Sequence, residues 1–401
     1  MRLAYICADR GIGLRARTGS AVHVRELVRA MAERGHQLTV LAATTDGLDE
    51  FPAPAVSLVT DPILTEVRER TAKLLRASGD EPGRAAEIYG LLLNETLLSE
   101  LESRRAGFDA LYERQSLWSL AGLQFARRNG VPYVLEVNAP LTEQQSEYRS
   151  LDLVDAARAI ERIVFAGADR IVVTTPVLID YVRARGGARR KIRVVPCGVS
   201  RELLDRARAS REPDKRDFVI GFLGTLKPWH GIDVLLQAFA RLADLSEDYR
   251  LLIVGEGPMR LEVLDFVREH GLRDRVELTG AVDHDAVGAY LDRMDVGLAP
   301  YPALPSFYFS PLKVWEYAAG GVPIVAADAG ELPKLFPHKE AALLHTPGNT
   351  GKIVRYVERL RLNPELGLRL SRRARRVARL HTWDRLAARV ERLVESLRKG
   401  R

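Results

Sequence analysis

The sequence predicts an α/β protein built from two Rossmann-like, doubly wound domains that face each other across an interdomain cleft. Three observations carry this expectation. Short apolar runs alternate with amphipathic helical stretches, as parallel βαβ units require. The chain, at 401 residues, exceeds what one hydrophobic core comfortably supports. A charged, helix-prone stretch at 199–215 lacks a core pattern, and the alternation restarts after it.

The first series opens with a strand at 2–8, a loop carrying Gly11, Gly13 and Gly19, and an amphipathic helix from about Ser20 to Arg34. After the Gly35-His36 turn come strands at 37–42, 110–112, 133–137, 170–174 and 192–195. Residues 61–105 interrupt this series with long, mostly helical sequence, an insertion of the kind that shapes an acceptor site. The second series places strands at 218–223, 251–254, 276–278, 295–299 and 323–326, with helices near 231–243, 258–270, 284–293 and 311–319. From about Leu366 the chain reads as helix, broken near His381-Thr382-Trp383, with no further strand. The resulting division is 1–198, a connector at 199–215, 216–380, and a C-terminal helix at 381–401 that packs back on the first domain. Ligands of doubly wound sheets bind beyond the carboxyl ends of the strands, so the loops there are where chemistry is sought.

Composition narrows the classes. Hydrophobic residues at 46% and charged residues at 28% describe an ordinary globular protein. No run approaches about 18 apolar residues, and the apolar start at Met1 is too short for a signal-peptide core. Cys7 and Cys197 lie in or beside apolar runs without C-x-x-C spacing, which argues against zinc or disulfides and points to the cytoplasm. The net charge of +7 resides in the C-terminal tail: residues 371–401 hold eleven Lys/Arg against three Asp/Glu, and the rest is close to neutral. That tail reads either as a solvated Arg-rich face or as a peripheral contact with the inner face of a membrane. No nucleic-acid partner is expected.

Four loops hold candidate chemistry. The stretch Gly11 to Ser20 departs from G-x-G-x-x-G, because Ala16 occupies the place of the third glycine. Gly19 and Ser20 still precede a helix whose free N–H groups suit an anion such as a diphosphate, the alternative being a simple cap at Ser20. The segment Gly224-Thr225-Leu226-Lys227-Pro228-Trp229-His230-Gly231 follows a strand and precedes a helix, clustering a glycine turn, a cation and an imidazole where phosphate oxygens find donors. In Pro305 to Ala326, Ser310 is expected to cap a helix with Pro311 at its first position, leaving the N–H groups of Leu312 and Lys313 free. Glu316 falls one turn further on the same face, where its carboxylate either accepts from the vicinal hydroxyls of a ribose or pairs with Lys313. Asp283-His284-Asp285, the nearest approach to a metal motif, reads as a helix N-cap, so no metal is expected. Nor is there an acid pair of the kind glycoside hydrolysis needs.

With these residues in view, the chain resembles the family-4 retaining glycosyltransferases of GT-B fold. The similarity rests on the Gly224 turn, on Val254-Gly255-Glu256-Gly257-Pro258, and on Glu316 as the second acid of the family's paired-acid motif. It is strong over 218–334 and looser over 1–199. The first acid of the pair is replaced by Tyr308. Thr225 stands where an Arg is common, and His230 stands where a Lys is usual, so Lys227 is expected to supply the displaced charge. In place of a frequent N-domain His the chain reads Glu136-Val137-Asn138-Ala139-Pro140; Asn138 is either a donor to the sugar or a turn former.

The resemblance implies a retaining, metal-independent transfer of a sugar from a UDP- or GDP-type donor to a glycan, lipid-linked or small-molecule acceptor, with no further cofactor. Lys227, His230, Gly19, Ser20, Gly224 and the helix start at Ser310 to Lys313 would stabilise the leaving diphosphate. Glu316 would hold the ribose, the backbone of Ala281 and Val282 would meet the base, and Glu256 and Tyr308 would line the donor site. The alternatives are a sugar-nucleotide epimerase of the same layout and an inactive nucleotide-sugar-binding partner, the latter prompted by Tyr308.

Overall fold

A computed structural model of the chain describes residues 1–45, 51–58, 66, 69–70, 73, 82–148, 150–206 and 217–399. The chain divides into two compact units: unit 1 is Met1–Ala16, Ser20–Pro196 and Asp384–Arg401, and unit 2 is Arg17–Gly19 with Cys197–Trp383.

Unit 1 holds a parallel sheet of seven strands, β1 (Arg2–Cys7), β2 (Gln37–Ala42), β3 (Ala55–Ser57), β4 (Ala110–Arg114), β5 (Tyr133–Val137), β6 (Arg170–Val173) and β7 (Ile192–Val194). Their order is β3-β2-β1-β4-β5-β6-β7, so the winding reverses between β1 and β4. Every residue of β4 and β5 is buried, so their sequences show no alternation, and the charged Glu113, Arg114 and Glu136 are buried with the apolar residues. The crossover helices are α1 (Gly19–Glu33), α2 (Pro82–Ser103), α3 (Ala121–Asn129), α4 (Leu141–Tyr148), α5 (Val154–Gly167) and α6 (Val177–Ala184). Within the expected insertion at 61–105, α2 is helical, while 61–65, 67–68, 71–72 and 74–81 lie outside the described residues.

Unit 2 holds a second parallel sheet, β8 (Phe218–Leu223), β9 (Tyr249–Val254), β10 (Val276–Leu278), β11 (Val296–Ala299), β12 (Ile324–Ala327) and β13 (Leu343–His345), in the order β10-β9-β8-β11-β12-β13. Its helices are α7 (Arg201–Asp205), α8 (Ile232–Leu245), α9 (Arg260–Glu269), α10 (Val287–Asp292), α11 (Leu312–Ala319), α12 (Leu332–Leu335), α13 (Thr350–Leu362) and α14 (Pro364–Ala378). Ile232, Leu235, Leu236, Phe239 and Leu242 of α8 form one helical stripe that packs on Ile220, Phe222, Leu251 and Ile253 of the sheet. Helix α7 falls in the expected connector and is capped by the Ser200 hydroxyl, which accepts from the Leu203 N–H at 3.2 Å; residues 207–216 lie outside the described residues. The last helix, α15 (Trp383–Arg398), buries Leu386, Ala387, Val390 and Val394 on one face, and within unit 1 its Glu391 pairs with Arg34 and His36.

The switch point of unit 2 is built around Tyr317 on α11. Strands β8 and β11 pair only at Ile220–Val296 and Gly221–Gly297, then part. The buried Tyr317 hydroxyl fills the opening: it accepts from the Leu223 N–H at 2.9 Å and donates to the Leu298 carbonyl at 3.1 Å. Tyr317→Phe therefore strands two buried backbone groups and is expected to cost about 1–3 kcal/mol, read as a lower denaturation midpoint at unchanged m-value.

Local expectations fail at three points. Strands β3 and β13, three residues each, are missed although β7 and β10 of the same length are found, because so short a run carries little periodic signal. Helix α1 begins at Gly19, so Ser20 lies in its first turn rather than before it. Helix α11 begins at Leu312, with Pro311 in the extended flanking position and no side-chain cap; the Ser310 hydroxyl instead accepts from the Cys197 N–H at 3.1 Å.

Candidate functional site

In unit 2 the turns that follow β8 and β9 are locked together by backbone contacts. The Gly224 N–H donates to the Val254 carbonyl at 2.9 Å and the Leu226 N–H to the Glu256 carbonyl at 3.0 Å. At Gly255, with φ of +152°, an added Cβ would lie 2.0 Å from the Gly224 carbonyl oxygen, so only glycine allows this approach. Glu256 turns its carboxylate to the Gly257 N–H at 3.1 Å and to Arg260, also at 3.1 Å. An isolated bridge between Gly255 and Gly280 carries the adjoining loop to Ala281 and Val282. There the Ala281 carbonyl accepts from Arg17 at 2.9 Å, and the Asp283 carboxylate pairs with the same guanidinium at 2.8 Å. Asp283 flanks a short 3-10 turn without making a side-chain cap, because its oxygens are taken by Arg17.

The cations of the Gly224 turn are arranged differently from expectation. His230 Nδ1 lies 2.6 Å from the Thr225 carbonyl, an acceptor, so Nδ1 carries the proton. Burial pushes the His230 pKa down to about 3, Lys313 and Lys227 adding to the effect against the Thr225 hydrogen bond. The ring is therefore neutral near pH 7, with Nε2 as an acceptor. It packs edge-on against Tyr301 and Phe309. The Lys227 ammonium lies 5.0 Å from the centre of the Trp229 ring.

Helix α11 brings the other groups. Glu316, 7% exposed, accepts a hydrogen bond from His284 Nε2 at 3.0 Å, so its partner is His284 and not Lys313. Lys313, 6% exposed, points the other way: its Nζ lies 3.8 Å from the centre of the Phe222 ring and 5.5 Å from that of Tyr301. It has no hydrogen-bond partner among the described residues. A Cβ on Gly224 would sit 3.3 Å from both Cε and Nζ, which puts the ammonium against the glycine turn. Tyr308 is buried and tilted against Phe309 at 4.4 Å, within an aromatic group that includes Phe307 and Tyr301. Neither His284 nor the position of the Lys313 ammonium was anticipated; the only sequence signal was the i, i+3 spacing of Lys313 and Glu316, equally compatible with a surface ion pair.

Unit 1 holds a second buried polar group at the carboxyl end of β5 and the first turns of α1. His23 Nε2 and Glu136 Oε1 are 2.6 Å apart, both nearly inaccessible, and the Asn138 amide donates to the same oxygen at 3.2 Å. Burial alone would raise the Glu136 pKa, but His23, Arg114 and Asn138 together hold it below the ordinary value, so Glu136 is ionised. Asn138 thus spends its N–H on Glu136, and its Oδ1 has no hydrogen-bond partner among the described residues. His23 escaped notice because a single His within an amphipathic helix is read as part of the pattern.

Among the described residues no group of three or more His, Cys, Asp or Glu is placed to hold a metal, and no helix is long and apolar enough to cross a membrane. Residues 18–198 match the family described as "Glycosyl transferase 4-like domain", and residues 217–363 match "Glycosyl transferases group 1". The chain is similar to the 2-deoxystreptamine glucosyltransferase of Streptomyces kanamyceticus, at 30% identity over 86% of this chain and 89% of that protein. The chain belongs to the group 1 glycosyltransferases, of family-4 type. This glycosyltransferase is also similar to the MMP alpha-(1->4)-mannosyltransferase of Mycolicibacterium hassiacum, 27% identical over 92% of each chain. Among solved structures, Anabaena HepE in complex with UDP-glucose superposes with a TM-score of 0.74 at 15% identity, covering 99% of this chain and all of that one, a likeness of fold. Its two parallel α/β units are those of the GT-B class.

Proposed function

We propose that this glycosyltransferase transfers a hexosyl group, with retention and without a metal, from a UDP- or GDP-type sugar donor bound by unit 2. The acceptor is a hydroxyl of a glycan, a lipid-linked saccharide or a small molecule. The observation that carries the reading is the pair of interlocked glycine turns at the switch point, Gly224 against Gly255, with Lys313 against Gly224 and with Glu316 one helical turn along α11. Glycine turns admit phosphate oxygens close to backbone, and the first N–H groups of α11, at Leu312 and Lys313, provide donors aligned with the helix dipole. Relatives named as a glucosyltransferase and a mannosyltransferase, and a structural neighbour holding UDP-glucose, support the donor class.

The residues divide the work as follows. Glu316, held by His284, accepts from the two ribose hydroxyls, which fixes the nucleotide and hence the diphosphate. Backbone at Ala281 and Val282 meets the base. Charge that develops on the leaving diphosphate is met by preorganised donors rather than by a metal, with Lys313, Lys227 and the α11 N–H groups in that role. The departing phosphate takes the proton of the acceptor hydroxyl as the new glycosidic bond forms on the same face, so no protein nucleophile is required. His230, neutral with a bare Nε2, accepts from a donor hydroxyl. Tyr308 covers the sugar end with an apolar ring. Acceptor-side groups are assigned to unit 1, Asn138 offering Oδ1 to a hydroxyl, and within unit 2 Gly19 offers its backbone N–H to the diphosphate.

The test is an acceptor panel assayed with UDP- and GDP-hexoses, following nucleoside diphosphate release and the anomeric configuration of the product by NMR. Transfer with the donor configuration kept is expected. An inverted product would refute retention, and a donor isomer formed without any acceptor would replace transfer by epimerisation.

A further inference from the structure

The charge inventory of the Gly224 turn leaves one cation unexplained. Thr225 is neutral, and His230 is held neutral with its proton committed to the Thr225 carbonyl. Lys227 rests against Trp229. Lys313 alone combines complete burial of its ammonium, no hydrogen-bond partner among the described residues, and direct apposition to the glycine turn. Its surroundings offer little to keep it charged. Phe222 of β8 and Tyr301 beyond β11 present ring faces, which attract a cation but cannot accept its protons as a carboxylate would. Glu316, the acid of its own helix, is turned to His284. Tyr317 is committed to Leu223 and Leu298, and burial raises its pKa, as it raises that of Tyr301. Lys227, the other cation that acts on His230, is of like sign and offers no counter-charge.

We propose that Lys313 is the cation of the donor diphosphate site and that nucleotide diphosphate binding is coupled to protonation of its amine. The inference rests on the donor reading above and deepens it. A buried amine facing aromatic rings and a glycine turn is mostly neutral once the pH exceeds its lowered pKa; an incoming diphosphate supplies the missing counter-charge and draws a proton from solvent onto Nζ. Burial drives the Lys313 pKa down to about 7, the Glu316 carboxylate opposing this, against an ordinary lysine value of 10.5. The sign follows from linkage. Between pH 7 and 10.5 the unfolded chain binds the Lys313 proton and the free folded enzyme does not, so the contribution of Lys313 to stability rises with pH across this window and is lost as pH falls through 7. The bound complex keeps the proton to higher pH, so nucleotide diphosphate affinity falls by about tenfold per pH unit above the free-enzyme value.

The experiment is isothermal titration of the full chain with UDP and GDP at pH 8, in two buffers of different ionisation enthalpy, beside Lys313→Met and Lys313→Arg. At pH 8 the terminal phosphate, with a second pKa of about 6, is already ionised, so proton uptake reports on the protein. Wild type is expected to take up about one proton per nucleotide. Lys313→Arg, which keeps its charge, is expected to bind without proton uptake. Lys313→Met is expected to take up none and to bind the better nucleoside diphosphate at least about tenfold more weakly, with the matching nucleoside changed by less than about threefold. Its thermal midpoint is expected to hold or rise, because a thioether fills the aromatic slot without a desolvated amine. Binding by wild type without proton uptake, or undiminished diphosphate binding by Lys313→Met, would overturn the proposal while leaving the donor reading standing. A wild type that binds neither UDP nor GDP would overturn both.

Discussion

Glu316→Ala is expected to lower kcat/KM for the sugar donor by about 100-fold or more, roughly 2.7 kcal/mol of transition-state binding. The carboxylate is buried and held by His284 at 3.0 Å, and Asp283, which precedes His284 in the chain, is committed to Arg17. In the proposed ribose role, truncation leaves two ribose hydroxyls as well as the His284 N–H without an acceptor, and bonds to a charged acceptor are worth about 1.5–3 kcal/mol each. Steady-state kinetics with the donor varied at fixed acceptor reads the effect. Glu316→Gln, which retains one acceptor oxygen, is expected to recover part of the loss. Equal kcat/KM for wild type and Glu316→Ala would remove Glu316 from the donor site.

The second large effect is structural and falls on the same turn. Gly255→Ala would place a Cβ 2.0 Å from the Gly224 carbonyl, at a φ of +152° that L-residues rarely adopt. Backbone strain of about 1–3 kcal/mol and a steric cost of similar size add, because the obstacle is backbone and not a flexible side chain. A loss of about 3 kcal/mol or more is expected by urea denaturation, together with weakened nucleotide binding as the two turns separate. A variant as stable as wild type with unchanged nucleotide affinity would show that the interlocking of the turns is dispensable.

Much of this architecture is legible in the sequence because long buried strands advertise themselves. Strands β2, β5 and β8 fall where the apolar runs place them, and the helices after β8 and β9 follow from their stripes. What escapes is decided by partners distant in sequence. Ser310 has the composition of a helix cap, yet its hydroxyl is claimed by the Cys197 backbone, 113 residues away. Glu316 and Lys313 have ion-pair spacing, yet each turns to a different partner, His284 in one case and the Phe222 and Tyr301 rings in the other. The displaced charge was expected from Lys227, which is local to the turn; the ammonium set against Gly224 arrives from a helix 89 residues later. His23 and Glu136, likewise 113 residues apart, form a buried pair that no local pattern announces.

The most direct test of the donor site is a thermal-shift titration of wild type and Glu316→Ala with a panel of UDP- and GDP-sugars. A ligand at about 100 times its Kd stabilises the folded state by about 2.7 kcal/mol, enough to read as a clear rise in midpoint. At least one nucleotide sugar is expected to raise the wild-type midpoint in a concentration-dependent way and to leave that of Glu316→Ala unmoved. Equal shifts in both proteins, or no shift in wild type with any member of the panel, would contradict it.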